Sequence, residues 1–99
     1  MLKMADDRLS RKAEGDLTEI AIYGFENFGF VKSRAYRDNQ LVLLQMLTEH
    51  PRAGAIFGSK GDRRRFVHQA HAVYDRISGN SIFVQRILHH SQDALRHLP

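Results

Sequence analysis

Residues 63–90 read RRRFVHQAHAVYDRISGNSIFVQRILHH, and this stretch decides the fold. Its runs of β-branched and aromatic residues predict three consecutive strands: Arg63–His68, His71–Ile77 and Ser81–His90. Gly79 and Asn80 separate the second strand from the third, and both tolerate the positive φ that a tight hairpin turn requires. The sequence therefore predicts a β-hairpin at the centre of an antiparallel sheet.

The predicted hairpin has two different faces, because side chains alternate across a strand. With Gly79 and Asn80 in the turn, the opposed pairs are Ile77 with Ile82, Asp75 with Val84, Val73 with Arg86, and Ala72 with Ile87. One face is apolar and is predicted to cover the core: Val73, Ile77, Ile82, Val84 and Leu88. The other is half apolar and half basic, which suits a partner better than water: Ala72, Tyr74, Phe83, Ile87, Arg76, Gln85 and His89.

Two charged residues fall on the predicted core face. Asp75 and Arg86 are diagonal neighbours there and are predicted to form a structural ion pair. The alternative is that Arg86 pairs with a carboxylate of the first helix, either Glu14 or Asp16. In either case Arg86 is expected to have a negatively charged partner within the chain, because an uncompensated buried charge is strongly destabilising.

The first half of the chain predicts two helices. Apolar or small residues recur at helical spacing from Arg11 to Phe28, with Ser10 as the N-cap and Gly29 as the terminator. A second helix is predicted over about Ser33–His50, because Pro51 cannot continue it. Residues 3–9 allow a short edge strand. The fold class is thus α+β, with a helical hairpin packed on a small antiparallel sheet in a single domain over residues 1–99.

Composition narrows the classes of function. Fifteen Lys and Arg residues against eleven Asp and Glu give a net charge of +4, which favours an acidic partner or a nucleic acid. Cysteine is absent from the sequence, so neither disulfides nor thiolate chemistry are expected. No apolar run approaches the roughly 20 residues of a membrane helix, and no signal peptide is recognisable. A cytoplasmic location without membrane contact is therefore expected.

No catalytic group, metal site or cofactor is predicted. The six histidines lack helical metal-binding spacing, and His89 and His90 are expected to point to opposite faces of a strand. A triad of Ser91, His89 and Asp93 lacks the glycine-framed turn that exposes a nucleophilic serine.

The order of these pieces resembles a known family. The matching residues are Ala13-Glu14-x-Asp16-Leu17-x-x-Ile20, Phe28-Gly29, His50-Pro51-Arg52-x-Gly54, Arg64-Arg65-Phe66, Tyr74-x-Arg76, Val84-x-Arg86-Ile87-Leu88-His89 and Asp93. Over residues 9–98 the chain is similar to the ParE branch of the RelE/ParE toxin superfamily. The resemblance implies a toxin of a type II toxin-antitoxin pair that poisons DNA gyrase by protein contact. It also implies a ParD-like antitoxin that silences the toxin in a hetero-oligomer.

Two binding surfaces follow from the faces and from this resemblance. An acidic amphipathic antitoxin is expected across the helices and the mixed face of the sheet, at Leu41, Leu44, Tyr74, Arg76, Phe83 and Ile87. The target is expected at a basic end of the molecule, at Arg63, Arg64, Arg65, His89, His90 and Gln92.

Two alternative functions stay open. The first is a RelE-like endoribonuclease that cuts messenger RNA on the ribosome, and the second is a basic nucleic-acid-binding module. The nuclease branch carries arginine, arginine and tyrosine where this chain has Ala72, Gln92 and Leu98. Such catalysis depends on cations and a proton carrier, so these residues favour the non-enzymatic toxin.

Overall fold

The computed structural model describes residues 8–59 and 61–99. A helical segment, α1 (Arg11–Glu49), precedes four strands, β1 (Ala55–Ile56), β2 (Arg63–His68), β3 (His71–Ser78) and β4 (Ser81–His89). A 3₁₀ turn, Ala94–Arg96, follows the last strand. The predicted α+β class is confirmed. The edge strand predicted over residues 3–9 lies almost entirely outside the described residues, and Leu9 forms one parallel bridge to Val84.

The helical segment folds back on itself at one residue. Gly29 has φ 83° and ψ 173°, which divides α1 into a first arm, residues 11–28, and a second arm, residues 30–49. Ser33 Oγ donates a hydrogen bond of 3.1 Å to the Ala21 carbonyl. In a continuous helix, 12 residues would separate these groups by about 18 Å. The predicted helical hairpin is therefore confirmed, with a shorter connection than the sequence suggested.

The first arm begins at the edge of the sheet. Ser10 caps it as predicted, since Ser10 Oγ accepts from the Ala13 amide at 2.9 Å. The same hydroxyl donates to the Gln85 carbonyl at 2.6 Å, and the Ser10 amide donates to the Val84 carbonyl at 2.9 Å. The start of the helix is thus fastened directly to β4.

The four strands form one antiparallel sheet in the order β1-β2-β3-β4. The three predicted strands are present, and Gly79 takes φ 63° in the hairpin turn. The short strand β1 was not predicted, because it lies in a glycine-containing loop. Gly54 allows it to approach β2 closely, since a Cβ there would lie 3.1 Å from the Arg65 carbonyl oxygen.

A β-bulge in β4 corrects the predicted register. Ile77 pairs with Ile82 and Asp75 with Val84, as predicted. Gln85 is then an extra residue, so that Val73 pairs with Ile87 and Ala72 with Leu88. The predicted pairing of Val73 with Arg86 is wrong, and Ile87 and Leu88 exchange the faces assigned to them.

Both faces of the sheet are covered. The helical side buries eight residues of the main core: Ala13, Leu43, Leu44, Leu47, Val73, Ile82, Val84 and Ile87. The opposite side buries a smaller cluster, Ala72, Tyr74, Leu88 and Ala94, beneath Phe57 and Leu98. The face that the sequence assigned to a partner is therefore largely covered by this chain's own loop and C-terminal segment.

Within the described residues, no helix has both the length and the apolar character that crossing a membrane requires.

Candidate functional site

A large concave surface, the groove, lies between the two helical arms at the end of the sheet. This groove has a volume of about 690 Å³. It is lined by Glu19, Ile20, Ala21, Tyr23, Gly24, Phe28, Lys32, Ser33, Tyr36, Arg37, Gln40, Ala70, His71 and His89. Gly24 keeps the arms close together, because a Cβ at this position would lie 2.9 Å from Ser33 Oγ. The fold thus holds open an apolar channel between two helices.

Exposed aromatic side chains surround the tip of the helical hairpin. Tyr23 and Phe28 make an edge-to-face pair with ring centroids 6.3 Å apart, yet each remains about 60 % exposed. Phe25, Phe30 and Val31 are also exposed, and so extend the apolar surface beyond the groove. Sequence reasoning missed this surface because it placed Phe28 on the stripe that faces the core. The available signal was the number of apolar residues near Gly29, which exceeds what one stripe can bury.

A tyrosine and histidines form the floor of the groove. The Tyr36 hydroxyl lies 2.6 Å from His71 Nδ1, and the His71 and His89 rings are 5.7 Å apart. Burial lowers the pKa of His71, as do the neighbouring charges of His89 and His90, while Asp16 opposes the change. Burial also raises the pKa of Tyr36. A neutral His71 can therefore accept the Tyr36 hydroxyl proton in a hydrogen bond.

The two adjacent histidines do not point apart as predicted. His90 lies in the turn after β4, and its ring stacks on that of His89 with centroids 4.6 Å apart. Gln92 Oε1 accepts a hydrogen bond from the His89 amide at 2.9 Å and so holds this turn. The predicted target residues His89, His90 and Gln92 are brought together, and His89 also lines the groove. Across the described residues, no cluster of three metal-ligating side chains is found.

The three consecutive arginines do not make a single exposed patch. Arg63 donates to Gln85 Oε1 at 3.2 Å and to the Pro99 carbonyl at 2.6 Å. Arg64 lies on the helical side of β2 and donates to the Gly54 carbonyl at 2.8 Å. All three residues are half-buried, and their guanidinium groups make hydrogen bonds within the chain.

Arg65 is held between aromatic rings. Its guanidinium carbon lies 6.0 Å from the Phe57 ring centroid and 5.8 Å from that of Tyr74. Arg65 Nε donates to the Tyr74 hydroxyl at 2.9 Å. These contacts hold Arg65 against Phe57 and Tyr74.

Arg86 forms its ion pair with Asp16 of the first arm, which is the alternative that the sequence left open. Arg86 binds Asp16 with both Nε and Nη2, each 2.8 Å from a carboxylate oxygen. Asp16 Oδ2 also accepts the Ile87 amide at 2.9 Å. The predicted pair of Asp75 with Arg86 is wrong, because the bulge at Gln85 removes Arg86 from the position opposite Val73.

Asp75 is consequently a buried carboxyl group. It is 3 % exposed, and its Oδ1 has no hydrogen-bond partner among the described residues. Burial raises the pKa of Asp75 to about 7, against the opposing charge of Arg64.

Half of the predicted antitoxin surface is corrected, because three of its six residues are buried within the chain. Leu44, Tyr74 and Ile87 are buried in the two clusters and present no surface to a partner. Leu41, Arg76 and Phe83 are partly exposed, and Arg76 stacks over the Phe83 ring at 5.2 Å. The larger apolar surface is the groove.

The comparisons with known proteins are consistent with one another. Residues 8–94 match the family model described as the ParE toxin of a type II toxin-antitoxin system, parDE. The chain is 32 % identical over 92 residues to Toxin ParE1 of Caulobacter vibrioides, covering 92 % of this chain and 95 % of that protein. A solved chain from the chromosomal ParDE TA system from P. aeruginosa superposes with a TM-score of 0.71. That match covers 82 % of this chain and 90 % of the other at 21 % identity, and it shows a shared fold.

The family model covers most of the chain, and the curated relative aligns along nearly its whole length. The chain therefore belongs to the ParE toxin family of type II toxin-antitoxin systems.

Proposed function

We propose that this toxin is silenced by a ParD-like antitoxin whose amphipathic helix occupies the groove, and that its target is DNA gyrase. The observation that carries the antitoxin proposal is the groove between the two helical arms, continuous with the exposed aromatic tip. An apolar surface of this size is costly to leave in water and is characteristic of a binding site. The likeness to a solved structure from a ParDE toxin-antitoxin system supports a ParD-like partner.

The shape and charge of the groove favour an acidic helix. A helix that binds a groove places one apolar stripe against it, and two parallel walls such as these arms suit that stripe. Lys32 and Arg37 lie along the second arm, while Glu19 is the one carboxylate among the described groove residues. The net charge of +4 adds a long-range attraction for an acidic partner, which speeds association.

Aromatic residues are expected to supply most of the affinity. Tyr23 and Phe28 combine a groove position with high exposure, and aromatic anchors of this kind dominate many interfaces. Leu41, Arg76 and Phe83 stay predicted contacts for a second, extended part of the antitoxin.

The antitoxin proposal is tested by calorimetry with the antitoxin encoded beside this toxin. Tyr23→Ala and Phe28→Ala combined should weaken binding by about 1,000-fold, since truncating a hot-spot residue costs about 2 kcal/mol and each 1.4 kcal/mol is about tenfold in affinity. Ile56→Ala and Leu95→Ala combined are the control, because both residues are similarly exposed and lie outside the groove. Equal losses in the two double variants would place the antitoxin elsewhere.

The gyrase proposal rests on protein contact rather than catalysis. Ala72 is fully buried, while Arg63 and Arg65 are committed to hydrogen bonds within the chain. These residues therefore do not provide a preorganised set of cations for a nuclease transition state. A toxin that acts on gyrase belongs in the cytoplasm, where both proposed partners are found.

Purified toxin should inhibit supercoiling by gyrase and cause cleaved DNA to accumulate, while messenger RNA on ribosomes stays intact. Adding the antitoxin should restore supercoiling. Cleavage of message in the ribosomal A site, with supercoiling unaffected, would replace gyrase poisoning with the ribonuclease function.

A further inference from the structure

A second concave surface, the basic cleft, lies beside the start of the first arm. It has a volume of about 440 Å³ and is formed by the first helical turn, β4 and the C-terminal segment. Its cationic side chains are Arg11, Lys12, Arg86 and Arg96, with His97 beside them. Among the described residues that line the cleft there is no Asp or Glu. The groove and the basic cleft share no lining residue, so they are separate surfaces.

The fold fixes the walls of the basic cleft. Ser10 is bonded to the bulged part of β4, which sets the position of Arg11 and Lys12. Arg63 bridges Gln85 and the Pro99 carbonyl, and this holds the C-terminal segment against β4 on the other side. Arg63, predicted as a target contact, is thus a positioning residue for the cleft.

Most of the charge in the basic cleft is not compensated internally. Arg86 is neutralised by its bidentate pair with Asp16. Arg96 lies 3.4 Å from Asp93, but the two side chains are 82 % and 62 % exposed, and such surface pairs are weak. Arg11 and Lys12 are exposed, and no salt bridge to either is present among the described residues. Three cations on two distant parts of the chain therefore converge on one cleft.

We propose that the basic cleft binds the phosphate backbone of double-stranded DNA. This inference deepens the proposed gyrase function and rests on it, because gyrase presents a DNA duplex beside its protein surface. Spaced cations with an amide side chain beside them, here Gln85, are groups that proteins use for phosphates without reading the base sequence. Phe83 and Leu98 also line the cleft and offer an acidic peptide some apolar contact, but the groove offers such a peptide a larger and more apolar surface.

The proposal is tested with full-length toxin and a fluorescently labelled DNA duplex. Anisotropy titrations over a series of salt concentrations give both the affinity and its salt dependence. Arg11→Gln with Lys12→Gln should weaken binding and reduce the slope of log K against log salt by about 0.9 for each phosphate that is no longer neutralised. Arg34→Gln with Arg52→Gln is the control, because it removes the same charge from exposed positions outside both surfaces.

The single variant Arg96→Gln tests the opposite wall of the cleft, and it should also reduce the slope. Circular dichroism should show all variants folded, since the substituted side chains are exposed. Equal weakening in the cleft and control variants would overturn the proposal, because it would show only a general effect of net charge. Lack of measurable duplex binding would also overturn the proposal. So would displacement of the DNA by the acidic antitoxin at the cleft, if salt had no effect on DNA binding.

Gyrase assays separate this inference from the function on which it rests. The cleft variant should lose inhibition of supercoiling while the control keeps it. Normal inhibition by the cleft variant would refute a role for the cleft and leave gyrase as the target. Duplex binding that depends on the cleft, without any inhibition of supercoiling by the native toxin, would instead support DNA binding at the cleft and refute gyrase poisoning.

Discussion

Replacing Asp75 with asparagine should stabilise this protein at neutral pH. Asp75 is 3 % exposed, lies between the sheet and the helices, and has an oxygen with no hydrogen-bond partner among the described residues. Burial raises its pKa from the ordinary 3.8 to about 7. Asparagine has nearly the same shape and cannot ionise, so Asp75→Asn removes the titration and keeps the packing.

The sign of the pH dependence follows from the proton count. Below pH 3.8, Asp75 is protonated in both the folded and the unfolded state, and it does not penalise folding. Between pH 3.8 and about 7, the unfolded chain loses the proton first, so the free energy of unfolding falls as pH rises. That interval corresponds to about 4 kcal/mol at roughly 1.4 kcal/mol for each pH unit. Above it the penalty is constant.

Urea denaturation followed by circular dichroism measures the effect. The stability of Asp75→Asn relative to the native sequence should be close to zero at about pH 4 and should rise toward about 4 kcal/mol at about pH 8. The difference between the two proteins cancels the titration of the histidines, which both share. A difference that does not change with pH would refute the reasoning, because it would mean that Asp75 ionises normally in the folded protein.

Two further predictions concern the helical arms. Asp16→Asn or Arg86→Gln alone should each lower the free energy of unfolding, measured by urea denaturation, by about 3 kcal/mol, because each change leaves a nearly buried charge without its partner. The double variant should lose less than the sum of the two, and additive losses would contradict the pairing. Gly29→Ala should cost about 1–3 kcal/mol, because φ 83° with ψ 173° is accessible almost only to glycine. Thermal unfolding measures the effect, with Gly15→Ala as the control. Gly15 lies in a regular helical turn with open space around it, so this change should stabilise the protein by about 0.5–1 kcal/mol. Equal effects of the two substitutions would show that Gly29 is not strained.

The sequence could predict what depends on local pattern. Helical spacing, the Ser10 cap, Pro51 and the Gly79-Asn80 turn located the helical hairpin and three strands. The bulge at Gln85 was not predictable in this way, because an extra residue in one strand has no local signature in VQRIL. That one residue exchanged the faces of Ile87 and Leu88 and moved Arg86 toward Asp16. The errors at Ile87, Leu88 and Arg86 therefore came from register, whereas Leu44 and Tyr74 were misassigned because segments far away in the sequence cover them.

The groove was missed for a different physical reason. Its walls are the two arms, whose separation is fixed by Gly24 and Ser33 after the chain reverses at Gly29, and its floor comes from the distant residues His71 and His89. Periodicity shows that a helix has an apolar stripe, but it does not show that part of the stripe projects beyond the sheet. The exposed aromatic tip followed only from the length of the arms relative to the strands.

The contact between Asp16 and the Ile87 amide has a consequence for hydrogen exchange. β4 is an edge strand, and this amide donates to a side chain of the first arm at 2.9 Å instead of to another strand. An amide of this kind exchanges with solvent when the arm lifts, even while the sheet stays paired. Its protection factor, compared with that of an amide shared by β3 and β4, would thus measure directly the free energy with which the helical hairpin docks on the sheet.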